Sequence, residues 1–177
     1  MPAAEPCYNR VLDTHTTRVA RHCDASRSAV YRALVDAEDI ARWKVPDGMS
    51  IFVHEHEARE GGRFRISLTY DGPGIGKTTG RTDTYHGHYV HLVPDELVVE
   101  VDEFESDDDS LAAPMTITLT LRDEDRGTRL EAVHEGLPPR LPAADNELGW
   151  QQVLARLAGL VEGRAVPGRG ALPHSGP

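Results

Sequence analysis

Through the middle of the chain apolar residues recur at every second position, and on either side of that region they recur at every third or fourth. Phe64, Ile66, Leu68 and Tyr70 alternate with Arg63, Arg65, Ser67 and Thr69. Successive side chains of a strand point to opposite faces, so this pattern predicts an antiparallel strand buried on one face. Met115, Ile117, Leu119 and Leu121 alternate with threonines in the same way, and Leu130, Ala132 and His134 share a face within Thr128–His134. Further strands are predicted over Thr16–Cys23, Ile51–Arg59, residues 80–93 and Leu97–Phe104. Turn residues punctuate them at Glu60-Gly61-Gly62, Pro94-Asp95-Glu96 and Asp123–Gly127.

The longer period appears in two places. After the first strand, Asp24 or Ser26 caps a helix whose apolar positions are Ala29, Val30, Ala33 and Leu34. A short helix follows from Ala37 to about Trp43, stopped by Pro46-Asp47-Gly48. The last element is a helix from about Ala143 to Glu162, with Leu148, Trp150, Val153, Leu154, Leu157, Leu160 and Val161 on one stripe. No second helix of that size exists to cover the stripe, so it must lie on the sheet. The expected fold is therefore α+β: a curved antiparallel β-sheet wrapped round a long C-terminal helix, with two short helices after the first strand. Residues 1–15 and the Pro/Gly-rich stretch 164–177 read as tails, leaving one domain over 16–163.

Composition narrows the function classes. The 177 residues carry 29 Asp+Glu against 19 Lys+Arg, a net charge of −10. That balance argues against nucleic acid and anionic membranes as partners. No apolar run is long enough for a membrane span, and the first residues lack the basic and apolar regions of a secretory signal. Cys7 and Cys23 make neither a disulfide framework nor a zinc site, so a reducing cytoplasm is the expected compartment. Arginines outnumber lysines 17 to 2, a bias with no evident chemical purpose at this level.

Several segments taken together resemble a known family. Asp24–Leu34 followed by Ile40-Ala41-Arg42-Trp43 is similar to the START-like helix-grip superfamily (SRPBCC). Glu60-Gly61-Gly62-Arg63-Phe64, Gly87-His88-Tyr89-Val90 ending at Pro94, Gly127–Leu130 reaching His134-Glu135-Gly136-Leu137, and Gly149-Trp150 extend the likeness over residues 16–163. The nearest resemblance is to the family of the heat-shock protein 90 ATPase activator C-terminal domain. It implies the helix-grip fold and a cavity between sheet and long helix, with no metal and no cofactor. In two places the chain departs from that family's pattern. Trp43-Lys44 stands where two aromatics are common, and Pro73–Asp83 is longer than the usual connection. Both lie where a cavity mouth is expected, so the resemblance leaves the ligand unnamed.

Other motifs carry only partial signals for chemistry. Gly72–Thr79 approaches a phosphate-binding loop, but that motif needs Gly where Asp71 stands and a helix where strand pattern follows. The pairs His54/His56 and His86/His88 place rings two apart on a strand, hence on one face, but supply too few ligands for tetrahedral zinc. The acidic run Asp107-Asp108-Asp109 reads as a solvated hairpin loop. No G-x-S-x-G or cysteine–histidine motif supports nucleophilic catalysis. Proton transfer by His134 with Glu100 or Asp102 is the residual catalytic option, and no catalytic residue is assigned.

The expected function is binding of a small hydrophobic or amphipathic ligand in the cavity. Its walls are expected from the inward strand faces: Phe64, Ile66, Leu68 and Tyr70; Met115, Ile117 and Leu119; Leu130, Ala132 and His134. Trp43 and Trp150 close it from the helices, and a large residue in place of Ala132 is expected to fill it. The alternatives are a cyclase, dehydratase or hydrolase in the same cavity, or a chaperone-associated interaction module. Related small domains often pair, which is the sole ground for expecting a homodimer.

Overall fold

The computed structural model describes residues 15–163 and the backbone of Gly170–Ala171. Strand β1 (Thr16–Cys23) leads into helices α1 (Arg27–Val35) and α2 (Ala37–Trp43). Ser26, rather than Asp24, caps α1, its hydroxyl accepting from the Ala29 N–H at 3.2 Å. Asp36 caps α2 in the same way through the Asp39 N–H at 3.0 Å.

Six strands then run as an antiparallel meander: β2 (Met49–His56), β3 (Arg63–Tyr70), β4 (Thr82–Val93), β5 (Leu97–Phe104), β6 (Met115–Glu124) and β7 (Gly127–Glu135). Strand β1 pairs with β7, so α1 and α2 carry the chain from one edge of the sheet to the other. The order is β1-β7-β6-β5-β4-β3-β2, with β8 (Gly170–Ala171) added in parallel on β2. That contact departs from the expected C-terminal tail. The rest of 164–177, like 1–14 with Cys7, lies outside the described residues.

The alternation seen in the sequence is realised as burial: β6 reads buried at Met115, Ile117, Leu119 and Leu121 and half-buried between them. In β4, Gly87 lets two neighbours close in. A Cβ there would lie 2.1 Å from the Val101 carbonyl oxygen and 2.5 Å from the Phe64 ring.

The curled sheet grips helix α3 (Ala143–Val161), which lies over β1 and against α1 and α2. Val153, Leu154, Leu157 and Ala158 are buried there, but Leu148 is 55% exposed and Trp150 only half-buried. The expected stripe is thus fully covered only between Val153 and Ala158, with Leu160 and Val161 half-buried. Leu154 has no exposed surface, and Leu154→Ala is expected to cost about 2–5 kcal/mol, measured by urea denaturation. No described helix is long and apolar enough to cross a membrane.

Candidate functional site: a cavity with a charged floor

Beside the first half of α3, a cavity of about 410 Å³ opens at one end of the fold. Antiparallel pairing gathers its walls from matching strand ends. Leu68 and Tyr70 come from the end of β3, Asp83 and Tyr85 from the start of β4, Asp102 and Phe104 from the end of β5, and Met115 and Ile117 from the start of β6. Leu148, Gly149 and Trp150 border it from α3, and Lys44 from the end of α2. Apolar walls with a few fixed polar groups are the composition of a small-molecule site.

Leu68, Tyr70, Met115, Ile117 and Trp150, expected on the wall, are there. The other expected residues are core. Trp43 is 1% exposed and donates its indole N–H to the Ala33 carbonyl at 2.8 Å. Phe64 packs against Tyr89, with ring centroids 5.1 Å apart. Ile66, Leu119, Leu130 and Ala132 belong to the closed cluster beneath α3. Ala132 sits between Val19 and Leu119 in the sheet, so a large residue there would overpack the core rather than fill the cavity. His134 lies under Trp150, ring centroids 4.4 Å apart, with its Nδ1 3.4 Å from the Asn146 amide. Burial, with the Lys44 charge adding to it, lowers this imidazole to about 3. Alternation names the inward face of a strand, but only docking of α3 decides which part of that face stays open.

The floor of the cavity is ionic, and the hydrophobic pattern alone did not reveal it. Lys44 is buried, its ammonium 2.5 Å from Glu100 Oε1 and within 6.0 Å of the ring centres of Phe64, Tyr85 and Trp150. Burial pulls its pKa down, but Glu100, Tyr85 and Asp102 outweigh that and hold it well above the usual lysine value. Asp83, also buried, accepts from the Lys77 ammonium at 2.7 Å and from the Lys77 backbone N–H. Both lysines of the chain therefore lie on this cavity, each paired with a buried carboxylate. Asp102 is 3% exposed, and its Oδ1 has no hydrogen-bond partner. Burial and the neighbouring Glu100 raise its carboxyl well above the usual range, with Lys44 opposing them. A usable sequence signal existed: Glu100 and Asp102 occupy inward positions between Val98 and Phe104.

The remaining motifs resolve as structure. The Gly72–Thr79 segment joins β3 to β4 with no helix behind it, and its Lys77 is committed to Asp83. A bulge between Val53 and Glu55 breaks the alternation in β2, so His54 and His56 do not share a face as expected. His54 is exposed and bonds Ser67, while His56 is half-buried and bonds the Tyr89 hydroxyl at 2.9 Å. Among the described residues no three His, Cys, Asp or Glu side chains converge as metal ligands. Asp108 of the acidic run accepts from Ser110 and Arg140.

A curled antiparallel sheet around one long helix, with a cavity between them at one end, defines a START-like helix-grip domain. The chain belongs to the family described as activator of Hsp90 ATPase homolog 1-like protein, whose pattern matches residues 24–162. A crystal structure of a Chromobacterium violaceum protein is 36% identical, covering 84% of this chain and 97% of that one, with a TM-score of 0.75. An Arthrobacter aurescens protein is 16% identical over 86% of this chain and 89% of its own, TM-score 0.72. A Rhodobacter sphaeroides protein is 19% identical over 85% and 93%, TM-score 0.69. These last two share the fold. No curated protein matches the chain.

Proposed function

We propose that this protein binds a hydrophobic or amphipathic small molecule in the cavity between the sheet and α3. The observation that carries the reading is the combination of volume and lining: about 410 Å³, walled by Leu68, Phe104, Met115, Ile117 and Leu148, with charged groups at its floor. A space of that size is ample for a medium-chain alkyl group. The family's description points instead to work on a chaperone, and that reading takes over if the cavity binds nothing.

Trp150 on the wall provides the signal, since a ligand beside the indole alters its fluorescence. Octan-1-ol is expected to change Trp emission saturably. The informative variant is Gly149→Phe. Gly149 borders the cavity, and a Cβ there meets no atom within 4 Å. Replacing a helix-interior glycine with alanine favours the helix by about 0.5–1 kcal/mol, and Phe keeps part of that gain. The variant is therefore expected to lose the octan-1-ol response while its melting temperature holds or rises. An unaltered response in a folded Gly149→Phe protein would place the ligand elsewhere.

A further inference from the structure

We propose that Asp102 is the polar anchor of the cavity and selects ligands with a cationic amine, whose apolar body lies along Leu68, Met115 and Ile117. The inference deepens the small-molecule reading and rests on it. It starts from a buried carboxyl that lines a cavity and leaves Oδ1 without a partner. A buried acceptor of that kind is costly unless something satisfies it. The nearby ammonium groups are committed, Lys44 to Glu100 and Lys77 to Asp83.

Charge points the same way. Three buried carboxylates, Asp83, Glu100 and Asp102, face two ammonium groups, Lys44 and Lys77. The deficit is one positive charge. In the empty cavity a proton on Asp102 makes it up, in keeping with its raised carboxyl. A ligand ammonium would replace that proton: the carboxyl O–H bond breaks, the proton leaves to solvent, and the carboxylate accepts from the ligand N–H. The mouth favours the same sign of ligand, because Asp47 and Asp145 line it, the former shared with Arg156. The other groups around Asp102 are Tyr85 and Tyr89 on β4, both held well above the usual tyrosine range by burial. Neither supplies a cation.

The test compares octylamine, octan-1-ol and octanoate by Trp fluorescence and by calorimetry on the full chain. Alkylamines, like lysine, are protonated at pH 7. A charge-assisted hydrogen bond is expected to make octylamine bind roughly ten- to a hundredfold more tightly than octan-1-ol. Titrations in two buffers of different ionisation enthalpy are expected to show proton release with the amine and none with the alcohol. Octylamine affinity should fall as pH is lowered, while octan-1-ol affinity stays level. Asp102→Asn should lose both the amine preference and the proton release, with circular dichroism and an unshifted or raised melting temperature certifying its fold. Equal binding of amine and alcohol by the parent, a preference for octanoate, or an amine preference that survives in Asp102→Asn would overturn this inference alone. Failure of all three probes to bind would overturn the small-molecule reading beneath it.

Discussion

Lys44→Met is expected to destabilise the fold by about 3–5 kcal/mol, the largest effect of any cavity substitution. The reason is the carboxylate left behind. Glu100 is 2% exposed, and its Oε1 accepts from the Lys44 ammonium. Without that partner, a charge would remain in the interior beside Asp102, which already lacks a partner at Oδ1. Met keeps most of the volume of the Lys44 stem, so the loss reports the charge, with its contacts to Phe64, Tyr85 and Trp150, rather than a void. The double variant Lys44→Met/Glu100→Gln is expected to recover much of the stability, because removing both charges removes the cost of burying either. Urea denaturation of the parent, both single variants and the double variant measures the coupling. A Lys44→Met protein as stable as the parent would mean that the pair does not hold the floor together.

The second large effect is acid destabilisation through His134. Its imidazole is held near 3 in the fold, against an ordinary value of about 6.5 in the unfolded chain. As pH falls through 6.5, the unfolded chain takes up this proton while the folded protein does not. Stability contributed by the neutral, buried ring is therefore complete above pH 6.5 and is lost progressively down to about pH 3. The loss amounts to about 2 kcal/mol by pH 5 and about 4 kcal/mol by pH 3. Other groups titrate over the same range, so the comparison must be with His134→Gln. That variant is expected to be less stable near neutrality, having lost the ring contact with Trp150, but to show a shallower decline between pH 6.5 and 4. Parallel pH profiles for the two proteins would rule out the buried neutral imidazole.

Two segments singled out in the sequence, Trp43-Lys44 and Pro73–Asp83, meet at the cavity. Lys44 supplies one buried ammonium. The long Pro73–Asp83 connection supplies the other ion pair, Lys77 with Asp83.

The sequence by itself determined the order of the elements from β1 to α3 and the inward face of the regular strands. Both follow from local geometry, a period of two in strands and of 3.6 in helices. The alternation at Met115–Leu121 and the stripe through Val153, Leu154 and Leu157 needed no knowledge of their partners. It did not determine that Leu68 and Ile117 would face empty space while Leu130 and Ala132 would be sealed beneath α3. Nor did it bring Lys44 to Glu100, 56 residues away. Those outcomes depend on strand register, on the curl of the sheet and on where the long helix comes down. The bulge in β2 makes the same point on a smaller scale, since one extra residue parted His54 from His56. Periodicity fixes which way a side chain points, and only long-range packing decides what it meets there.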